Sequence, residues 1–294
     1  MHIAMTKLQE FFSKARQEKW AIGHFNFSTA DQLRAFVETA AELHSPLMVG
    51  TSEGEASFVG HEQAVALVRS YQEAGHVLYL NSDHHKSWDS AKAAVDAGYD
   101  TIHIDASELP FEYNVELTKK VVEYARSKKP DVMVEGELGY LRGSSEIQEE
   151  IEIKPEDFTK PDEAREFVEA SGVERLAIAF GNVHGITTKQ EMHLDMNVLK
   201  MVIEAVGSVV PGVHIVLHGG SGLPDSEIKE AIANGVTNVH VNTELRVAYH
   251  DALEDELAKS NESTTPYKFE KPAFEATKEV IKEKLELFGA VEKV

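Results

Sequence analysis

Eight short apolar runs alternate with longer segments of helical period, and that alternation constrains the fold more than any other feature. The runs are AIGHFNF (21–27), PLMVGTS (46–52), VLYLNSD (77–83), TIHIDAS (101–107), VMVEGELG (132–139), RLAIAFGNVHG (175–185), HIVLHGG (214–220) and NVHVNTE (238–244). Each is rich in β-branched or aromatic residues and too short for a helix. The segments between them, such as DQLRAFVETAAEL and LDMNVLKMVIEAV, carry apolar residues at helical spacing. Several stop at a glycine (Gly75, Gly98, Gly172, Gly235), as helix C-caps do. Strand followed by helix, eight times over, predicts an α/β fold: a (β/α)8 TIM barrel in a single domain. A doubly wound open sheet is the runner-up, but the phosphate loop expected after its first strand is missing. The barrel is expected over about 20–258. An amphipathic N-terminal helix precedes it, a long loop follows strand five (YLRGSSEIQEEIEIKPEDFTK), and a helical extension occupies about 259–294.

Length and charge narrow the function. A chain of 294 residues suits one barrel and needs no covalent staple. The absence of cysteine excludes disulfides, thiolate zinc sites and a Cys nucleophile, and accords with a cytoplasmic protein. A net charge of −21 repels nucleic acid and anionic membranes, so neither is an expected partner. It also requires any phosphate site to be local, built from backbone N–H groups or a few cations. No signal peptide is evident at the N-terminus. No apolar run approaches the ~20 residues of a membrane span.

In such a barrel the working face is the C-terminal end of the strands. Strand ends here give Asn26, Ser52, Asp83–His84, Asp105, Glu137, His184, His218 and Asn242–Thr243. One strand-end histidine alone reads as a hydrogen-bonded structural residue. Three, ending strands three, six and seven, suit a catalytic Zn²⁺ with an open position for substrate. The stretch HGGSGLPDSEI (218–228) adds Gly219, Gly220 and Gly222 before a helix that starts near Pro224. A glycine loop running into a helix N-terminus binds phosphate through backbone N–H groups. No lysine lies in the eight runs, which disfavours a Schiff-base route.

The ordered set GHFNF, VGTSEG, SDHH, IDAS, VEGELG, GNVHG, VLHGGSG and VNTE, over roughly 5–255, resembles the class II, zinc-dependent ketose-bisphosphate aldolases. The resemblance implies reversible cleavage of fructose-1,6-bisphosphate to dihydroxyacetone phosphate and glyceraldehyde 3-phosphate. It implies His84, His184 and His218 as zinc ligands and Asp83 as the acid/base at the C4 hydroxyl. Asp105 and Glu137 match an alternative metal position, and a monovalent cation accompanies the set. Asn26, Gly185, Gly219, Gly220, Ser221, Asn242 and Thr243 match positions around the three-carbon phosphate, and Ser52 a polar residue near the sugar. A homodimer or homotetramer is expected on the same ground.

Two departures stand out. In ELGYLRGSSEIQEE, Ser144 and Ser145 occupy positions where the family carries acids, so Glu146 is the candidate for the second proton transfer and Glu149 the next. A solvated acidic loop is the equal alternative. His240 stands where the family usually has Asn, and is expected to touch substrate or to fill the barrel. His103 is expected to be a buried structural residue, and His85 to support the loop or helix start. Arg142, Arg246 and Lys268 are the available grips for a distal phosphate. Tagatose-1,6-bisphosphate or another phosphorylated ketose is the alternative substrate. A degenerate, non-catalytic homologue and a metal-dependent barrel hydrolase are the competing classes, the latter disfavoured because GHFNF carries one histidine and not His-x-His.

Overall fold

The structure is a computed structural model describing residues 7–259 and 264–294. Eight parallel strands close into a barrel: β1 (Ile22–Asn26), β2 (Leu47–Ser52), β3 (Leu78–His85), β4 (Thr101–Ile104), β5 (Met133–Leu138), β7 (Arg175–Ile178), β9 (His214–Leu217) and β10 (Val236–His240). Six lie inside the expected apolar runs; β3 continues two residues past its run, to His85, and β10 begins two residues before its run, at Val236. β6 (Gly143–Gln148) and β8 (His184–Thr187) pair as a separate two-stranded sheet over the mouth. One expectation is corrected here. His184 does not end a barrel strand: β7 stops at Ile178, and His184 opens β8, paired with Gly143 of β6.

The outer face of the barrel is apolar and packs beneath the helices. Phe25, Leu33, Phe36, Leu47, Val49, Val134, Phe167, Leu176 and Leu217 belong to one continuous buried cluster. The interior is unusually polar for this architecture, in which Val, Ile and Leu dominate. Asn81 Nδ2 lies 3.1 Å from His24 Nε2, and Thr101 Oγ1 donates to Asn81 Oδ1 at 2.6 Å. Arg175 and Glu135 form an ion pair with both side chains fully buried. Helix α1 (Lys7–Glu18) closes the floor, with Phe12 beneath the Arg175 guanidinium, 5.6 Å from its ring centroid.

Helices α2 (Ala30–Glu42), α3 (Glu53–Val59), α4 (His61–Glu73), α5 (Trp88–Ala97), α6 (Phe111–Lys128), α7 (Pro161–Ser171), α8 (Met196–Val209), α9 (Asp225–Asn234) and α10 (Thr243–Lys259) follow in chain order. The C-terminal segment forms α11 (Pro266–Phe269) and α12 (Lys271–Leu287). Helix α12 packs on α2 and α10 as part of the outer ring, so it is no loose appendage. Beyond it, the backbone N–H of Glu292 donates to Leu43 O, and those of Lys293 and Val294 donate to His44 O.

Candidate active site

Neighbouring strand residues ordinarily face opposite sides of a sheet. Asp83 and His84 escape this rule through local backbone geometry. The register of β3 against β4 shifts between Ser82 and His85, and His84 holds φ +46°, in the left-handed region. Such a bulge re-aims side chains at the cost of local strain. Both residues therefore face the barrel mouth. His84 Nδ1 lies 2.9 Å from Asp105 Oδ2 and 3.5 Å from Glu137 Oε2, and its backbone N–H donates to His103 Nδ1 at 3.1 Å. His85 is turned away, fully buried against the His61 ring.

Asp83 is fixed from two sides. Asn26 Nδ2 donates to its Oδ2 at 2.8 Å, and His240 Nδ1 stands 3.3 Å from its Oδ1. Asn238 Nδ2 donates to Ile22 O, which turns Asn238 Oδ1 toward His240 Nε2 at 3.2 Å. His240, stacked on His24 at 3.7 Å, is both a barrel filler and a neighbour of the acid/base candidate.

The histidine rings gather around His84: His218 at 4.5 Å, His184 at 4.8 Å and His103 at 4.7 Å between centroids. His218 follows β9 directly, and its Nε2 meets Glu135 Oε1 at 2.7 Å. Asn182 ties two loops by donating to Ile178 O and His218 O. Gly219, at φ +63°, lets the glycine loop approach so closely that an added Cβ would lie 1.9 Å from Val183 O, one residue before His184. Sequence reasoning missed Glu135, Asn182 and Glu55. The first two sit inside VEGELG and GNVHG, where their fixed spacing to Glu137 and His184 was the available signal.

Burial opposes charge throughout, and pairing decides which groups keep it. Burial pushes the Asp83 carboxyl up, but His84, His103 and His240 outweigh it and hold the pKa well below the usual range. Burial likewise opposes the charge on His84, yet Asp83, Asp105 and Glu137 raise its pKa to about 9 in the metal-free protein. His184 lacks such support: burial, then His84 and His218, lower it to about 3. His240 is held well below its ordinary value by burial.

A cavity of about 380 Å³ opens over this cluster. It is lined by Asn26, Asp83, His84, Ser145, His184, Gly185, His218, Gly219, Ser221, His240, Asn242 and Thr243, among others. Three expected substrate or catalytic residues stand elsewhere. Glu146 is exposed and absent from the cavity lining, which its neighbour Ser145 joins, in a stretch of β6 where the register against β8 shifts. The Gly220 N–H is spent on His240 O at 2.9 Å. Ser52 caps α3, its hydroxyl accepting from Glu55 N. The candidate phosphate grips also lie off the cavity lining: Arg142 is bound through two nitrogens by Asp157, Arg246 lies along α10, and Lys268 is exposed on α11. The glycine loop connects outward instead. Glu244 accepts from Gly222 N at 2.8 Å and pairs with Lys284 Nζ of α12 at 2.6 Å.

The profile of the family described as "Fructose-bisphosphate aldolase class-II" matches residues 6–293. The chain belongs to the class II fructose-bisphosphate aldolase family. A protein named fructose-bisphosphate aldolase from Staphylococcus aureus (strain Mu50) is 35% identical over 289 residues, covering 97% of each chain. The solved YdjI aldolase from Escherichia coli K12 shares 31% identity over 99% of both chains, with a TM-score of 0.82. A fructose-bisphosphate aldolase from Campylobacter jejuni, at 20% identity and a TM-score of 0.83, shares the fold. The chain is accordingly an aldolase of the lyase class.

Class II aldolases are generally metal-dependent, and the donor set fits a divalent ion of the zinc type: imidazoles and carboxylates without thiolate. Buried polar atoms at the mouth stand without a hydrogen-bond partner among the described residues: Asp83 Oδ1, His103 Nε2, Glu137 Oε2, His184 Nε2 and His240 Nδ1. Four groups in the barrel offer ligand atoms within 4.8 Å of one another, His84–Asp105–Glu137, Asp83–His84–His103–His218, His24–Asp83–His240 and Glu135–His218–His240; His184 belongs to none of them. His103, expected to be structural, is therefore a member of the cluster as well as fully buried. Glu135 orients His218, and Arg175 anchors Glu135, the kind of outer support that metal-binding histidines require.

Proposed function

We propose that this chain catalyses reversible aldol cleavage of a ketose phosphate, giving dihydroxyacetone phosphate and an aldehyde, on a zinc ion held by His84, His184 and His218. The observation that carries the reading is the gathering of these three rings beside Asp83, at a mouth edged by the Gly219–Gly222 loop. When bound, zinc supplies a Lewis acid that draws charge from the ketose carbonyl. Asp83, ionised and 3.3 Å from a neutral His240, is set to take the C4 hydroxyl proton as the C3–C4 bond breaks. Asn26 holds its other oxygen in place. Gly185, Gly219, Ser221, Asn242 and Thr243 line the side of the cavity that receives the phosphate.

Fructose-1,6-bisphosphate heads the substrates to be tried because the Staphylococcus aureus and Campylobacter jejuni relatives are named fructose-bisphosphate aldolases. Asp105 and Glu137 are assigned to an alternative metal position. A cytoplasmic homodimer or homotetramer accords with the reading. The deciding experiment is a coupled cleavage assay on fructose- and tagatose-1,6-bisphosphate and the matching 1-phosphates, with and without chelator. Activity lost to chelator and restored by zinc is expected. Cleavage indifferent to chelator would overturn the metal assignment. Retained zinc without turnover on any ketose phosphate would favour a non-catalytic homologue.

A further inference from the structure

Helix α3 brings a carboxylate that nothing above uses. Glu55 Oε2 accepts from Asn26 Nδ2 and from Ser52 N, each at 2.8 Å, and its Oε1 accepts from Asn242 Nδ2 at 3.4 Å. Three residues expected to meet substrate are thereby committed to this carboxyl group, whose pKa burial and the neighbouring Asp83 raise. The same Asn26 nitrogen also serves Asp83 Oδ2 at 2.8 Å, so two carboxylates share one amide. A third anion at this spot would face both, with little solvent to screen it.

The barrel order fixes which end of the substrate this is. The glycine loop, Gly185 and Thr243 follow β9, β7 and β10, on one side of the mouth. Asp83 and Glu55 stand on and just after β3 and β2, on the other, with Glu55 reaching back past β1 to Asn26 and Asn242. With the C1 phosphate on the glycine-loop side and the C4 hydroxyl at Asp83, the carbons beyond C4 extend toward Glu55. Among the described residues lining the cavity none is Lys or Arg. One end offers backbone N–H groups and a helix N-terminus. Behind the other, outside the lining itself, the Glu55 carboxylate is held against Asn26 and Asn242, which opposes a second phosphate there and tolerates a hydroxyl.

Resting on the aldolase reading above, we propose that Glu55 is a specificity residue that selects an uncharged polyol at the aldehyde end, so that a ketose phosphorylated at C1 alone is cleaved in preference to its 1,6-bisphosphate. The test uses the zinc-loaded full chain. Cleavage of fructose 1-phosphate is compared with that of fructose-1,6-bisphosphate, and condensation of dihydroxyacetone phosphate with glyceraldehyde is compared with that of glyceraldehyde 3-phosphate. The expected wild-type kcat/KM favours the monophosphate and the free aldehyde by about tenfold or more. Glu55→Gln, which keeps an acceptor for the amides and removes the charge, is expected to move that ratio toward the bisphosphate by about tenfold, mainly through its KM. A merely structural Glu55 would lower both substrates together. A wild-type preference for the bisphosphate overturns the proposal on the unaltered protein, whether or not the variant folds, and so does a ratio unmoved in Glu55→Gln. Silence toward every ketose phosphate with zinc bound overturns the aldolase reading, and this one with it.

Discussion

His84 and Arg175 are single residues whose settings have measurable consequences. The raised pKa of His84 means that zinc must displace a proton at any pH below about 9. Zinc affinity should therefore rise with pH up to about 9, by up to tenfold per unit from this residue, with proton release measurable by calorimetry in buffers of different ionisation heat. The stability linkage runs the other way. A histidine at 6.5 unfolded and about 9 folded stabilises the metal-free protein fully below pH 6.5 and loses that contribution as pH climbs to about 9. Thermal unfolding of the zinc-stripped protein between pH 6 and 9.5 should show the decline, up to about 3 kcal/mol for this group. Arg175→Met leaves the Glu135 charge buried and unpaired, a loss of about 3–5 kcal/mol by denaturant titration. Zinc should also bind more weakly, because Glu135 would no longer be anchored against His218. His84 and His218 were legible at their strand ends from the neighbouring Asp and Gly, whereas His184 opens β8 and does not end a barrel strand. The bulge that turns Asp83 and His84 the same way was not, since a left-handed φ at a histidine has no compositional mark.

At the scale of elements, the two-stranded sheet of β6 and β8 sets the position of His184. Gly143, at φ +92°, lies so close that an added Cβ would be 2.5 Å from His184 O. Gly143→Ala should displace β8, lowering zinc affinity and turnover at least tenfold while leaving the unfolding midpoint within a few degrees. Equilibrium zinc binding and calorimetry on one preparation would separate the two effects. Sequence patterning put β6 in a long loop and the start of β8 at the end of the sixth strand. GSSEIQ and HGIT are short and mixed in polarity, and their pairing is decided by the tertiary approach of two loops. Counting positions along the chain could not show which residue of this stretch faces the cavity: Ser145 does and Glu146 does not, where the register of β6 shifts. Helix α3 was hidden for a related reason, since seven residues are too few to show a helical period.

For the whole molecule, the eightfold alternation was enough to announce the barrel, because each strand has to bury one face beneath a helix. The interior was less legible: His24, Asn81, Glu135, Arg175 and Asn238 sit where apolar residues are the rule, and only their contacts show why they are tolerated. The C-terminal segment looked like an extension, yet Ile281, Leu285, Phe288 and Ala290 are buried, and the Ala21 N–H donates to Phe288 O. Truncation after Lys259 should abolish cooperative unfolding or leave the protein insoluble, as a melt followed by circular dichroism would show. Lys284→Met should spare the fold better and raise the KM for the phosphorylated substrate several-fold, because Glu244 would then carry its charge uncompensated beside the phosphate loop. That relay has a consequence in time. Lys284 is translated after every strand of the barrel, so while the chain emerges from the ribosome its glycine loop is still backed by an unneutralised carboxylate. The charge balance behind the glycine loop is therefore complete only once the last helix has docked, so the mouth of the barrel is finished by the final part of the chain to be made.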